Sequence, residues 1–164
     1  MSIASGHIQP CLWFDDDLEE AARFYTGIFP NSSIGHLSRY GDAGPGVSGA
    51  VMAAEFTLDG LTFRGINGGP EFRFTEAVSF AVTCRDQSEV DYYWDSLVDG
   101  GEESMCGWLK DRFGLSWQIV PARLYELVAD PVPERALAAT RAMLGMRRLV
   151  VAELEAAADA VVRG

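Results

Sequence analysis

The order of the sequence patterns repeats once along the chain, and this repeat limits the fold more than any other feature. Each half begins with alternating apolar and polar residues, continues with a helical period, and ends with three further strand-like stretches. In the first half, the predicted strands are residues 8–14, 33–40, 47–58 and 61–67, and the predicted helix is residues 18–29. In the second half, the predicted strands are residues 77–84, 104–106, 108–110 and 115–121. The predicted helix between the first two has Asp86 and Ser88 as plausible caps, has its apolar side within residues 90–98, and is ended by Gly100-Gly101. We interpret the repeat as an internal duplication. It predicts an α+β fold of two tandem βαβββ modules, at residues 7–67 and 77–121, whose sheets together line a small-molecule cleft.

Local signals mark the ends of several elements. The run Asp15-Asp16-Asp17 offers an N-cap and favourable negative charge for the first helix. Asp59-Gly60 is the strongest short hairpin signal in the chain. In the last strand of the second module, Trp117 alternates with Gln118, so we expect Trp117 to face the helix and Gln118 to face the cleft.

The character of the chain changes after the second module. The stretch Asp130-Pro131-Val132-Pro133 introduces one helix from about residue 134 to 142, and a break near Gly145 precedes a second at residues 150–162. These stretches are rich in Ala, Leu, Met and Glu, which favour helices. We therefore predict a sheet domain at residues 1–125 and a helical C-terminal extension at residues 126–164, which packs on the sheet or on a partner subunit.

The charge and the cysteines restrict the partners. A formal net charge of −11 over 164 residues repels phosphate backbones and anionic membranes, so neither nucleic acid nor a membrane is an expected partner. The N-terminal residues lack a basic segment followed by an apolar one, so we expect no signal peptide. Cys11, Cys84 and Cys106 are an odd number without paired spacing, which favours a reducing cytoplasm over a disulfide framework.

Five short strings carry a resemblance to a known family. They are Pro10-Cys11-Leu12-Trp13-Phe14, Phe24-Tyr25 with Phe29-Pro30-Asn31-Ser32, Asn67-Gly68-Gly69-Pro70, Tyr92-Tyr93-Trp94, and Cys106-Gly107-Trp108-Leu109-Lys110-Asp111. In architecture, the chain resembles the vicinal-oxygen-chelate superfamily, which includes glyoxalases, ring-cleaving dioxygenases and bleomycin-resistance proteins. The strings resemble its PhnB-like branch, often labelled 3-demethylubiquinone-9 3-methyltransferase. The resemblance implies a curved mixed sheet around the cleft and a homodimer.

The same resemblance implies where a metal would bind. Metal-dependent relatives hold a divalent ion through His, Glu or Gln side chains from the first and last strands of each module. These positions fall on Gln9, Asn67, Ser79 and Gln118. Neutral amides and a hydroxyl are poor partners for a divalent cation that must shed water, so we expect no catalytic metal and no other cofactor. A metal-dependent lyase, isomerase or dioxygenase with an unusual ligand set, which His7 could join, is the alternative.

The neutral set suits a different task. Amides and a hydroxyl beside tryptophan rings, with Tyr40 as a further wall, would bind a neutral or aromatic small molecule. The candidate ligand-binding residues are Gln9, Trp13, Asn67, Ser79, Cys106, Trp108 and Gln118. The alternative is that these polar groups satisfy neighbouring backbone groups. For Cys106, a small buried apolar thiol is favoured over a nucleophile, because neither His7 nor His36 is an evident base for it.

Two other functions stay open, so the sequence alone does not decide whether the chain is an enzyme. A methyltransferase of the usual kind needs a glycine-rich turn between a strand and a helix, followed by parallel βαβ units. Here Asn67-Gly68-Gly69-Pro70 is glycine-rich, but no helical period follows it. A non-catalytic module that contacts a protein partner through its acidic surface and its helical extension is the last alternative.

Overall fold

The fold is given by a computed structural model that describes residues 8–42 and 46–161. Its internal contacts divide the chain into two compact units, Met1–Arg73 and Phe74–Gly164. Within the described residues, each unit contains one four-stranded mixed sheet, and the helices number five. The α+β fold, the repeated βαβββ order and the helical C-terminal part are therefore confirmed.

The first unit carries the first βαβββ set. Its elements are β1 (Cys11–Phe14), α1 (Leu18–Ile28), β2 (Ser33–Arg39), β3 (Val51–Leu58) and β4 (Leu61–Asn67). The strand order is β1-β4-β3-β2, with β1 parallel to β4 and the other pairs antiparallel. The β3–β4 hairpin turns at Asp59 and Gly60, whose φ angles of 45° and 81° are the left-handed values that a tight type I′ turn needs. The predicted hairpin is confirmed.

Helix α1 covers one face of this sheet. Leu18, Ala21, Ala22 and Tyr25 are buried on it, and Phe56 of β3 stacks on Tyr25. The helix lies close to β4, because a Cβ at Gly65 would lie 2.2 Å from Cδ1 of Leu18. A larger residue at this position in β4 would therefore displace the buried Leu18 side chain.

The second unit repeats this plan and adds three helices. Its elements are β5 (Ser79–Cys84), α2 (Gln87–Val98), β6 (Glu102–Glu103), β7 (Trp108–Lys110), β8 (Ser116–Pro121), α3 (Ala122–Val128), α4 (Pro133–Leu144) and α5 (Val151–Ala160). The strand order is β5-β8-β7-β6, with β5 parallel to β8. Asp86 caps α2 by accepting a hydrogen bond from the Glu89 N–H at 3.0 Å, as its position predicts.

A buried carboxylate shapes the turn between β7 and β8. Oδ1 of Asp111 accepts hydrogen bonds from the backbone N–H groups of Phe113 and Leu115, and Oδ2 accepts one from Nε1 of Trp117 at 2.8 Å. Asp111 is only 2% exposed, and these bonds compensate for the burial of its charge. Trp117 consequently faces away from Gln118 and packs against Phe80, with ring centroids 5.6 Å apart, as alternation predicts.

The helical extension builds its own small core on the second sheet. This core joins Val120 of β8 to buried residues of α3, α4 and α5, among them Leu124, Ala139 and Leu154. The side chain of Gln87 then ties the extension to α2, because it donates to the Leu149 carbonyl and accepts from the Val151 N–H. The prediction that the extension packs on the sheet is confirmed.

Four predicted strand boundaries are wrong. Strand β5 begins at Ser79 rather than residue 77, because the Val78 N–H bonds back to the Thr75 carbonyl in a turn. Strand β1 begins at Cys11 rather than residue 8, since Pro10 has no N–H to donate to a ladder. Strand β3 begins at Val51 rather than residue 47, because residues 47–50 form a turn in which the Gly49 N–H bonds to the Tyr40 carbonyl. Strand β6 lies at Glu102–Glu103 rather than at residues 104–106.

The extension also differs in detail from the prediction. Helix α3 begins directly after β8 and was not predicted, since seven residues carry too few turns for a periodic signal. The second predicted helix ended at Val162, which lies outside the described residues. None of the helices in residues 8–42 and 46–161 is long and apolar enough to cross a bilayer.

Candidate functional site

The first sheet has a face opposite α1, which we call the first open face. Strand register places Cys11, Arg64, Glu55, Ala53 and Ser38 on it, since paired residues of neighbouring strands point the same way. This face forms the floor of a cavity of about 320 Å³. The cavity is lined by Cys11, His36, Ser38, Ala53, Ala54, Glu55, Arg64, Gly65 and Ile66.

The lining combines an apolar floor with polar groups at its edge. Ala53 and Ile66 are cross-strand partners on the floor, and Arg64 and Glu55 are the next pair on the same face. Among the described residues, neither Arg64 nor Glu55 has an ion-pair partner within 4.0 Å, so both charges remain available to solvent or to a ligand. His36, Glu55 and Arg64 were not among the predicted site residues. The alternation of Arg64 with buried Phe63 and Gly65 was the available signal.

Two predicted site residues belong to strand β1 and the segment before it. Gln9 is half-buried and does not contribute to the cavity lining that the described residues form. Trp13 shares the first open face, but its ring folds over the glycines that follow β4. Its Nε1 donates to the Gly69 carbonyl at 2.8 Å, and a Cβ at Gly68 would lie 2.2 Å from the ring. The ring also meets the ring of Phe72 edge-on at 4.9 Å, so Trp13 anchors this segment.

Asn67 requires a correction. It pairs with Phe14 in the β1–β4 ladder and therefore lies on the α1 side of the sheet, opposite the first open face. Its Oδ1 accepts from the Leu18 N–H at 3.0 Å, and its Nδ2 donates to the carbonyls of Asp16 and Val51. The amide therefore caps α1, which Asp17 does not do with its own side chain. The amide is therefore occupied by backbone groups, and Asn67 does not share the first open face with Trp13.

A wider hollow of about 630 Å³ lies beside the start of α1. Tyr40 lines it, and its hydroxyl donates to the Asn67 carbonyl at 3.3 Å. Glu19 at its rim binds Arg23 and Arg39, and these bonds hold the pKa of Glu19 below its ordinary value. Its lining includes Tyr40 and Gly46, which stand on either side in sequence of a stretch outside the described residues, so we assign no site to it.

The second sheet also has a face opposite its α2 side, which we call the second open face. Ser79, Trp108 and Gln118 lie together on it, because Gln118 of β8 pairs with Trp108 of β7 and lies beside β5. Nε2 of Gln118 donates to Oγ of Ser79 at 2.9 Å. Three of the seven predicted site residues are therefore neighbours.

Cys106 lies in a turn rather than in a strand. Its φ of 61° is left-handed, and its N–H donates to the Met146 carbonyl at 2.7 Å. The next residue, Gly107, bonds likewise to the Arg147 carbonyl at 2.8 Å. The turn is thus fastened to the chain between α4 and α5, and the thiol is half-buried. Burial raises the pKa of the separate Cys84 thiol to about 12, which fits the expected inert role of that residue.

The residues at the four superfamily metal positions do not fit a divalent ion. The amide of Asn67 is occupied by backbone groups, and Ser79 and Gln118 bond to each other. In the part of the chain that the structure describes, no group of three or more His, Cys, Asp or Glu side chains could hold a metal ion. His7, the one imidazole proposed to join the set, lies outside that part. We therefore derive no chemistry through a metal.

Known structures repeat this architecture. A PhnB protein from Bacillus cereus is 38% identical, with 71% of this chain covering 100% of that chain at a TM-score of 0.67. Protein PA1353 from Pseudomonas aeruginosa is 20% identical, with coverages of 71% and 98% and a TM-score of 0.59. The fosfomycin resistance protein FosX from Mesorhizobium loti is 17% identical, with coverages of 77% and 99% and a TM-score of 0.54. The last two show the fold alone. No curated protein matches the sequence.

Tandem βαβββ modules with one open face on each sheet define a glyoxalase-like protein of the vicinal-oxygen-chelate superfamily. A family model described as 3-demethylubiquinone-9 3-methyltransferase matches residues 6–120, which span both sheets and end before α3. The chain belongs to this family, and the expected resemblance to its PhnB-like branch is confirmed.

Proposed function

We propose that this chain binds a small organic molecule with aromatic or aliphatic surface, without a catalytic metal, in the cavity on the first open face. One observation carries the proposal. The face of the first sheet opposite α1 floors a cavity of about 320 Å³ with mixed polar and apolar lining. Pockets for small ligands commonly start at about 300 Å³ and combine an apolar surface with a few polar groups that fix orientation.

The lining indicates how such a molecule would be held. Ala53 and Ile66 offer apolar contact at the floor, while Ser38 and His36 offer hydrogen-bonding groups. Arg64 and Glu55 supply one charge of each sign on adjacent strands, so together they add no net charge. This balance supports a neutral ligand that carries both hydrogen-bond donors and acceptors. On the second open face, Ser79, Gln118 and Trp108 supply the same neutral chemistry.

A tryptophan at Ala53 tests the proposal, because it would fill the cavity floor. Native mass spectrometry of the purified wild-type protein, followed by thermal-shift screening with neutral aromatic and aliphatic amides, identifies a retained or stabilising compound. We expect Ala53→Trp to lose it, while Ala152→Trp, a matched change at an exposed alanine of α5, keeps it. Equal binding by both variants would overturn the proposed site.

Methyl transfer, which the family's name carries, is the second candidate. The glycines after β4 are followed by Pro70 and by residues without helical structure up to β5, so the usual cofactor-binding turn is not formed there. Calorimetric titration with S-adenosylmethionine distinguishes the two functions. Tight binding would favour methyl transfer, and its lack together with a retained neutral compound would favour simple binding.

We also propose a reducing, cytoplasmic location and a homodimer. The three free cysteines, of which Cys11 is exposed, support a reducing compartment. Nucleic acid is not an expected partner of the basic stretch 141–148. Arg147 pairs with Glu103, and Arg148 pairs with Asp91 and Asp95, so these two charges are already paired with carboxylates. Light scattering after size-exclusion chromatography measures the oligomeric state. A monomer at micromolar concentration would contradict the dimer.

A further inference from the structure

The second open face contains a small cavity that the proposed function does not use. Its volume is about 110 Å³. The cavity is lined by Glu76, Glu102, Glu103, Ser104, Trp108, Leu109, Lys110 and Ser116. Its lining residues all belong to the second unit, and none of them lines the cavity on the first sheet.

Strand register sets the polar side chains of this cavity in one row. Ser116 of β8 pairs with Lys110 of β7, and Lys110 pairs with Glu102 of β6. Nζ of Lys110 also forms an ion pair with Glu76, at 2.5 Å, and Glu76 precedes β5 on the other side of β8. Because β8 lies between β7 and β5, this ion pair joins strand β7 to the segment that leads into β5. Lys110 is the chain's single lysine.

Ser116 is the residue that points to a ligand. It is 1% exposed, and its Oγ is the one buried side-chain polar atom without a hydrogen-bond partner in the described residues. Leaving such a hydroxyl unpaired destabilises the folded state, because it loses its hydrogen bonds to water. In folded proteins, most buried side-chain polar atoms have a hydrogen-bond partner in the protein, in water or in a ligand. Since Ser116 also lines the cavity, a molecule bound there would supply the missing partner.

The charges around Ser116 decide what kind of molecule fits. Lys110 keeps its ammonium form, since the bond to Glu76 raises the pKa of Lys110. Only one of its three N–H donors is needed for Glu76, so the others can join the Ser116 hydroxyl in binding an oxyanion. Glu102, on the opposite side of Lys110, has no ion-pair partner within 4.0 Å among the described residues, and it accepts hydrogen bonds only.

Glu103, by contrast, is already occupied. Its carboxylate accepts from Nε1 of Trp94 and from Arg147, both at 3.3 Å. Donors for an anion and an acceptor for a cation therefore lie side by side, beside the half-buried ring of Trp108.

We propose that this cavity binds a small zwitterion of the amino-acid class, with its carboxylate on Ser116 and Lys110 and its ammonium group on Glu102. The carboxylate accepts hydrogen bonds from Oγ of Ser116 and Nζ of Lys110. The ammonium group donates to the Glu102 carboxylate, and Trp108 forms an apolar wall that limits the side chain to a small one. Binding leaves the net charge of the cavity unchanged, since the ligand brings one charge of each sign.

Nuclear magnetic resonance with selectively labelled lysine tests this directly, because a single lysine gives a single site-specific signal. We expect glycine to shift the Lys110 side-chain resonance saturably at neutral pH. Acetate and ethylammonium, which each carry half of the zwitterion, should bind about tenfold more weakly or worse. Equal affinity for glycine and acetate, or no saturable shift with glycine, would overturn the proposal.

Variants identify the groups involved. Ser116→Ala should weaken glycine binding about threefold to tenfold, the value of one hydrogen bond, without lowering the melting temperature, because it removes an unpaired hydroxyl. Glu102→Gln should weaken glycine binding while leaving acetate binding unchanged, and Glu134→Gln, at an exposed position of α4, serves as the matched control. Unchanged glycine affinity in Ser116→Ala, or a fall in its melting temperature, would instead assign the hydroxyl a structural role. The variants of the first sheet, Ala53→Trp included, should leave glycine binding intact, so this test and that of the proposed function fail separately.

Discussion

The side-chain amide of Gln118 donates a hydrogen bond to the hydroxyl of Ser79 across β8 and β5, with 2.9 Å between Nε2 and Oγ. Both residues stand at positions where the resemblance places metal ligands, and both belong to the second unit. The bond links the two parallel strands of that sheet on the open face. The bond is therefore a neutral cross-strand contact at two positions where the resemblance places metal ligands.

Removing the hydroxyl should cost stability. Ser79→Ala leaves the half-buried Gln118 amide without this acceptor, and we expect the free energy of unfolding to fall by about 0.5–1.5 kcal/mol. Urea unfolding followed by circular dichroism measures the change. Thr83→Ala, on the same strand and the same face but exposed, is the control and should change stability by less. Equal losses in the two variants would mean that the bond contributes nothing.

Chelation provides the second prediction. The Asn67 amide bonds to backbone groups, and Ser79 and Gln118 bond to each other. The folded state should therefore not depend on a bound metal ion for its stability. We expect the melting temperature to be the same with and without excess chelator. Elemental analysis of the purified protein measures the same point independently. A stoichiometric divalent ion, or a drop of several degrees on chelation, would contradict the assignment.

Short-range patterns predicted much of this fold. The order of strands and helices, the Asp59-Gly60 turn and the opposite directions of Trp117 and Gln118 all depend on residues close in sequence. Alternation has a period of two, so a strand of six residues such as β8 is enough to reveal it. The capping role of Asp86 was accessible for the same reason.

Long-range contacts were beyond the sequence. Asn67 caps α1 at Leu18, 49 residues earlier, and nothing near Asn67 in the sequence signals this. The ion pair between Lys110 and Glu76 likewise depends on the strand order β5-β8-β7, which places β8 between two strands that precede it in the chain. Ser79, Trp108 and Gln118 do lie on one face, but none of the seven predicted site residues lines the cavity on the first open face, and the partners of individual side chains required the structure.

Thiol reactivity gives the third prediction. The pKa of Cys84 is raised to about 12, chiefly by burial, and its side chain has no exposed surface, whereas Cys11 is exposed on the first open face. With a disulfide reagent at about pH 8, Cys11 should react rapidly and Cys84 only as fast as the protein unfolds. Cys11→Ser should remove the fast phase. A fast phase that persists in Cys11→Ser and disappears in Cys84→Ser would contradict the placement of both thiols.

The ion pair between Asp130 and Arg135 at the start of α4 predicts a dependence of stability on pH. The hydrogen bond from Arg135 and that from the Val132 N–H hold the pKa of Asp130 below its ordinary value of 3.8. When pH falls, the unfolded chain therefore takes up this proton before the folded chain does. The stabilising contribution is present above about pH 4 and is lost as the pH falls through the folded-state pKa. We expect Asp130→Asn to melt at a lower temperature than wild type at neutral pH, and the difference to shrink toward zero in acid.

Asp159→Asn is the control, because it removes the more exposed partner of the same arginine. The side chain of Asp159 is 61% accessible against 17% for Asp130, so this variant should have a smaller effect at neutral pH. Melting curves recorded from neutral pH down to about pH 3 measure both variants, and a difference for Asp130→Asn that stayed constant over this range would show that the carboxylate charge is not what stabilises the turn.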